Sequence, residues 1–111
     1  GPIVKSAKLS KDKQSILLTF DNVGSSLQST TVTLDKHIMS GDDLSGFEVC
    51  GSDGMFVTAK AKIKGKDKVE LSFHRYVTDP KIVRYGWANF PLCNLYSAEG
   101  LPALPFRQGV E

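Results

Sequence analysis

Short stretches of alternating apolar and polar residues follow one another along this chain, with turn residues between them. In the segment 68–73, for example, Val69, Leu71 and Phe73 alternate with charged or polar residues. A period of two is typical of a β-strand with one buried face. Such segments predict strands at 3–9, 14–20, 30–34, 47–51, 55–64, 68–73 and 81–88. The stretch 36–45 lacks the pattern and is predicted to be a loop.

Turn signals between these segments support the same fold class. Residues 52–54 and 65–67 contain the Gly and Asp that tight turns favour, and no segment has the period of a helix. About seven short strands joined by turns are typical of an antiparallel β-sandwich, either immunoglobulin-like or jelly-roll-like. The sequence therefore predicts an all-β chain, and its 111 residues suffice for a single domain with its own core.

The segment 55–64 is predicted to be one continuous strand of this sandwich. Its apolar positions would face inward and its lysines outward, where they would discourage sheet edges from pairing. The inward residues would be Val57, Ala59, Ala61 and Ile63, and the outward ones Lys60, Lys62 and Lys64.

The last quarter of the chain combines one regular strand with a tail rich in proline and apolar residues. In the predicted strand 81–88, Val83, Tyr85 and Trp87 alternate with smaller or charged residues, so we expect these aromatic side chains in the core. The alternative is an aromatic platform for a sugar ring. Prolines at 91, 102 and 105 predict an irregular tail over 89–111. Its apolar residues must cover either a partner domain or this domain's own open sheet edge.

Composition excludes several classes of function. The net charge is only +2 and the lysines are dispersed, so we expect no nucleic-acid binding. No apolar run approaches the ~20 residues of a membrane-spanning helix, so we expect no membrane insertion. We expect Cys50 and Cys93 to be two buried reduced thiols rather than a disulfide. Neither cysteine belongs to a CxxC pair or lies near His37 or His74 in sequence, so no metal or cofactor is expected.

The segment from Val83 to Arg107 closely resembles the carboxy-terminal end of the bacterial sialate O-acetylesterase-like family. The resemblance is carried by the runs Tyr85-Gly86-Trp87-Ala88-Asn89, Pro91, Cys93-Asn94-Leu95-Tyr96, Glu99-Gly100-Leu101-Pro102 and Pro105-Phe106-Arg107. Weaker likeness at 20–27, 44–49 and 56–63 extends it over nearly the whole chain. The chain departs from the family pattern at Gly86, Phe90, Ser97 and Leu104.

The resemblance implies a parent esterase that removes O-acetyl groups from sialic acid or other glycans, exported to the periplasm or cell surface. Enzymes of this family are similar to serine esterases with a Gly-Asp-Ser nucleophile motif and an Asp-x-x-His motif. Neither motif occurs in this chain, and Gly51-Ser52-Asp53 has the right residues in the wrong order. Because such catalytic domains are α/β, we expect residues 1–111 to be a non-catalytic carboxy-terminal accessory domain, with Gly1 a cleavage remnant.

Candidate contact residues come from the last quarter of the chain. They are Arg84, Tyr85, Trp87, Asn89, Phe90, Asn94, Tyr96 and Arg107. Their partner would be the catalytic esterase domain of the same polypeptide or an acetylated glycan. Arg84 could clamp a sugar carboxylate or pair with an acid on the next strand, and Arg107 could form an ion pair with Glu99. The competing interpretations are therefore a scaffold for the catalytic domain, a carbohydrate-binding module, and a structural adhesion-type domain.

Overall fold

Strands and turns make up the part of the chain that the computed structural model describes, namely residues 1–32, 38–40, 43–73, 77–87 and 93–111. Twelve β-strands and no helix occur in these ranges. They are β1 (Ile3–Leu9), β2 (Ser15–Asp21), β3 (Leu27–Val32), β4 (Ile38–Ser40), β5 (Asp43–Leu44), β6 (Phe47–Cys50), β7 (Phe56–Thr58), β8 (Lys60–Lys64), β9 (Lys68–Ser72), β10 (Ile82–Tyr85), β11 (Leu95–Ser97) and β12 (Phe106–Gly109). All pairs are antiparallel, and the predicted all-β sandwich is confirmed.

The first sheet has the strand order β1-β2-β9-β8-β5. Strand β2 lies between β1 and β9, and Ile16, Leu18 and Phe20 give it a fully apolar inner face. Strand β9 continues that face with Val69 and Leu71. The outward lysines of β8 are exposed, as the sequence predicts.

The second sheet, with the order β12-β10-β6-β7, packs against the first. Its inner face carries three rings, Phe47, Tyr85 and Phe106, because these residues are paired across β6, β10 and β12. Phe20 of the first sheet meets Phe106 edge-on, with ring centroids 5.9 Å apart. These aromatic contacts join the two sheets through one core.

A small third sheet has the order β11-β3-β4 and closes one side of the sandwich. Leu95 of β11 and Leu27 of β3 supply its buried apolar side chains. The chain end closes another edge: Glu111 donates its N–H to the carbonyl of Ala7, and Leu9 donates to the carbonyl of Glu111. Strand β1 therefore has a partner on both edges in this region.

The prediction of a single strand over 55–64 is wrong. The chain passes from the second sheet to the first at Ala59, whose N–H still donates to the carbonyl of Phe47 at 3.0 Å. Val57 lies on the edge strand β7 and is 39% exposed rather than inward. The predicted loop 36–45 also contains two short strands, β4 and β5.

The prediction of an irregular tail over 89–111 is also wrong in part. Strand β11 pairs with β3, and β12 pairs with β10 as the last strand of the second sheet. Phe106 lies in the core, so this part of the tail covers the domain's own sheet. Residues 88–92, including the predicted contact residues Asn89 and Phe90, lie outside the described residues, as do His37 and His74.

Candidate functional site

Three of the predicted contact residues, Tyr85, Trp87 and Asn94, lie near the point where β10 leaves the second sheet. The chain turns at Gly86, which has a φ of +69° and donates its N–H to the carbonyl of Gly46 at 3.2 Å. Gly46 has a φ of +102°, and a side chain there would collide with the thiol of Cys93. Glycine at both positions therefore brings segments 44–46, 85–87 and 93–95 together at one end of the sandwich.

Tyr85 is a structural residue at this end. Its side chain is 2% exposed, and its ring centroid lies 4.6 Å from that of Phe47. The hydroxyl accepts a hydrogen bond from the backbone N–H of Leu95 at 3.0 Å. Burial raises the pKa of Tyr85 to about 12. The phenol thus serves as a neutral buried partner for the chain that leads into β11.

Cys93 and Asn94 hold the chain that leads into β11 against the segment 44–46. The Asn94 side chain is buried, and its Oδ1 accepts a hydrogen bond from the N–H of Ser45 at 2.7 Å. Cys93 lies beside Tyr85 and is partly exposed, and burial raises the pKa of its thiol. The thiol is therefore protonated at neutral pH. Cys93 and Cys50 are both free in the structure, and Cys50 is buried.

Trp87 points to solvent, which contradicts the prediction that it faces the core. It is 57% exposed, whereas Tyr85 two positions earlier is buried. The positive φ of Gly86 ends the strand and breaks the alternation that the sequence pattern continues through residue 87. The indole is therefore available for contact with another molecule or domain.

Three more exposed apolar residues, Ile3, Leu101 and Leu104, come from segments that meet near Trp87, and we call these four residues the apolar end patch. Their exposed fractions are 57% for Trp87, 47% for Ile3, 53% for Leu101 and 52% for Leu104. Sequence reasoning did not single out Ile3, Leu101 or Leu104 as contact residues. The available sequence signal was the position of Leu101 and Leu104 beside the prolines at 102 and 105, because a segment with these prolines cannot bury its leucines in a regular strand.

Backbone contacts hold the segments of this patch together. A side chain at Gly86 would lie 3.2 Å from Pro105, so the residue before Trp87 abuts the residue after Leu104. Leu104 donates its N–H to the carbonyl of Pro2 at 3.1 Å. Gly1 lies directly against the carbonyl of Pro102. The first residues of the chain thus lie beside the segment 101–105.

Arg84 lies on the outer face of the second sheet and has a partner there. Its Nε is 2.9 Å from Oε1 of Glu48, and its Nη2 is 3.4 Å from Oε2. The guanidinium carbon lies 3.7 Å from the centroid of the Phe56 ring. The sequence left two roles open for Arg84, a clamp for a sugar carboxylate or an ion pair with an acid on the next strand. The structure shows the ion pair, with Glu48 of β6.

Arg107 and Tyr96, the two remaining predicted contact residues in the described ranges, lie on different surfaces. Arg107 is exposed and its Cα is opposite that of Arg84. The expected ion pair with Glu99 is wrong, because that carboxylate accepts the N–H of Ser25 at 3.2 Å, which holds the pKa of Glu99 below its usual value. Tyr96 is half-buried in β11 and forms a backbone bridge with Pro102. Tyr96 therefore adjoins the apolar end patch, while Arg107 belongs to the outer face of the sheet.

A cleft of about 330 Å³ opens at the same end, between segments 44–48 and 58–60. Its polar side chains are Ser45, Thr58, Lys60 and the already paired Glu48. In the described ranges, no three His, Cys, Asp or Glu side chains come together as a metal site. A search of the same ranges also finds no helix that could cross a membrane.

Comparison with known proteins relates the chain to a carbohydrate acetylesterase. No family model matches the chain, and no curated protein matches it. Among solved structures, the chain is similar to XAC1771, a novel carbohydrate acetylesterase from Xanthomonas citri, with 35% sequence identity and a TM-score of 0.74. The likeness covers 97% of this chain but only 22% of that protein. The chain is therefore related, in sequence and in fold, to one segment of a carbohydrate acetylesterase.

Proposed function

We propose that this chain is a non-catalytic accessory domain of a larger carbohydrate acetylesterase. The observation that carries the proposal is the unequal coverage of the likeness to XAC1771, which takes in 97% of this chain and 22% of the longer enzyme. A segment of that size can hold a complete β-sandwich while the catalytic machinery lies elsewhere in the polypeptide.

The chemistry of the chain fits this role. The sequence has neither a Gly-Asp-Ser nor an Asp-x-x-His motif, and a serine nucleophile needs an adjacent base to react. The space between the two main sheets is filled by Phe20, Phe47, Tyr85 and Phe106 rather than by a substrate pocket. In this proposal the chain stabilises the catalytic domain and does not hydrolyse esters itself.

The finer parts of the proposal follow the family resemblance of the sequence. The parent enzyme would act on O-acetyl esters of sialic acid or of other glycans, and it would be exported to the periplasm or cell surface. The chain would stand at the carboxy-terminal end of the parent, because the resemblance is strongest to that end of the family.

The size of the native polypeptide tests this proposal directly. An antibody raised against the 111-residue chain would be used to probe a lysate of the source cells. We expect a band several-fold heavier than 12.1 kDa, and the same purified polypeptide should release acetate from acetylated glycans while the chain alone should not. A native band near 12 kDa, or acetate release by the chain alone, would refute the accessory role.

A carbohydrate-binding module is the second candidate, because Trp87 is exposed. A solvent-facing indole can stack on the C–H face of a sugar ring. Trp87 is the only tryptophan of the chain, so its fluorescence reports on this surface alone. On this alternative, titration with sialylated or acetylated oligosaccharides shifts the emission of Trp87 and protects it from iodide. Unchanged emission at millimolar sugar would remove the alternative.

A further inference from the structure

Exposed apolar side chains are concentrated at one end of the sandwich. The large hydrophobic residues exposed in the described ranges are Ile3, Met55, Val57, Trp87, Leu101 and Leu104. Four of these six form the apolar end patch, although they come from three separate segments of the chain. Scattered exposed apolar residues are normal on a protein surface, but a group drawn together from three segments indicates a contact surface.

The patch is built on secured backbone rather than on a free loop. The hydrogen bond from Leu104 to the carbonyl of Pro2 and the packing of Gly86 against Pro105 hold its three segments in place. On the opposite side of segment 101–105, Ala103 is buried and donates its N–H to the carbonyl of Leu95 at 2.9 Å. The exposed leucines on either side of Ala103 are therefore presented outward by a fixed segment.

The chemistry of the patch favours a protein surface over a sugar. The side chains of Ile3, Leu101 and Leu104 have no hydrogen-bonding group, and Trp87 has only its indole N–H. Sugar sites need several polar groups to replace the water around hydroxyls, whereas the buried centre of a protein interface is mainly aromatic and aliphatic.

We propose that the apolar end patch is the surface through which this domain docks onto the catalytic portion of the same polypeptide. This inference rests on the proposed function, which supplies the partner. The greater part of the related acetylesterase lies outside the segment that this chain matches, so a large covalently joined partner would be present at high effective concentration. Such a tether lets a modest apolar patch form a stable contact within one polypeptide.

Cysteine footprinting tests the docking surface without depending on enzyme activity. Leu104→Cys would be placed in the 111-residue chain and in the parent polypeptide, and labelling by a maleimide would be followed by mass spectrometry of the modified peptide. We expect fast labelling in the chain alone and labelling slowed about tenfold or more in the parent.

Met55→Cys is the matched control. Met55 is 69% exposed and precedes β7, which is the edge strand opposite β12 and begins at the other end of the second sheet. Its labelling rate should be the same in the chain and in the parent. Equal rates at both positions, or slowing at both, would overturn the assignment of the patch while leaving the accessory role intact.

Two further outcomes distinguish failure of the docking inference from failure of the proposed function. Concentration-dependent protection of Leu104→Cys in the chain alone would show that a second copy covers the patch, which would also overturn the inference. A native polypeptide of only about 12 kDa would instead remove the proposed function, and the inference with it.

Discussion

Removal of one buried hydroxyl group should measure how strongly Tyr85 holds the end of the sandwich together. In Tyr85→Phe the ring keeps its contacts with Phe47 and Phe106, so little packing is lost. The N–H of Leu95 loses its acceptor, and Leu95 is fully buried. Water therefore cannot replace the missing hydroxyl without opening the core.

The size of the effect follows from the cost of an unpaired buried donor. A buried N–H left without an acceptor costs about 1–3 kcal/mol. For a domain of about this size, 1 kcal/mol corresponds to roughly 4 °C, so the midpoint of thermal unfolding should fall by about 4–12 °C. In urea, the midpoint should fall while the slope of the unfolding free energy with urea stays the same.

Tyr96→Phe is the matched control, because Tyr96 is half-buried and its hydroxyl makes no hydrogen bond within the described ranges. We expect its unfolding free energy to change by less than about 0.5 kcal/mol. The reasoning would be refuted if Tyr85→Phe were as stable as the unaltered chain to within that amount, or if both variants lost equal stability.

The pH dependence of stability provides a second test of the same phenol. Burial raises the pKa of Tyr85 to about 12, so between pH ~10 and ~12 the folded chain keeps a proton that the unfolded chain has lost. This contribution is fully present below pH ~10, and up to roughly 2–3 kcal/mol is lost by pH ~12. The stability difference between the unaltered chain and Tyr85→Phe should therefore shrink across this range. A difference that stays constant from pH 9 to pH 12 would contradict a raised pKa.

The remaining predictions concern the ion pair, the glycine contact and the thiols. Glu48→Gln should lower the unfolding free energy by about 1–2 kcal/mol in urea titrations, because it weakens a partly buried two-point contact with Arg84; no loss would mean that the pair is solvated. Gly46→Ala should destabilise the chain by at least about 2 kcal/mol, because the new methyl would collide with Cys93, and Cys93→Ala should relieve part of this loss in a double-mutant cycle. In a thiol-labelling assay of the folded chain, Cys93 should react slowly and Cys50 only after unfolding; fast reaction of Cys50 would contradict its burial.

Alternation alone was enough to predict strands β1, β2 and β9 of the first sheet. Strand β1 begins and ends where the pattern indicates, and β9 differs from the predicted 68–73 by one residue. These segments alternate cleanly because one face packs on the core and the other meets solvent. The same pattern cannot reveal a change of sheet, so it predicts one strand through Ala59, the small residue at which the chain passes from one sheet to the other.

The position of Trp87 could not be deduced from the same pattern. A residue two positions after a buried tyrosine should share its face, provided that the strand continues. Gly86 ends the strand with a left-handed backbone, and a glycine in a sequence does not state which sign of φ it adopts. For this reason the sequence pattern predicts Trp87 in the core, whereas the structure shows it exposed to solvent.

The candidate site was predictable only in part for a related reason. Sequence placed Tyr85, Trp87 and Asn94 in one functional region, and the structure brings them to one end of the sandwich. Ile3 lies more than 80 positions before Trp87, and only tertiary contacts with the segment 101–105 join them. Contacts between such distant segments leave no local pattern in the sequence.

The pairing of Glu111 with strand β1 has a consequence for how the domain is made. Strand β1 is synthesised before the other strands described here, yet the edge at Ala7 and Leu9 gains its second partner only when residue 111 arrives. Until then, a nascent chain that has already formed the β1–β2 hairpin presents an unpaired strand edge, which can pair with another chain. Closure over so long a separation also makes folding slow, because the entropy of the large loop is lost before the contact forms. Overproduction of this domain should therefore be most prone to aggregation during synthesis, and slower translation at lower temperature should raise the soluble yield.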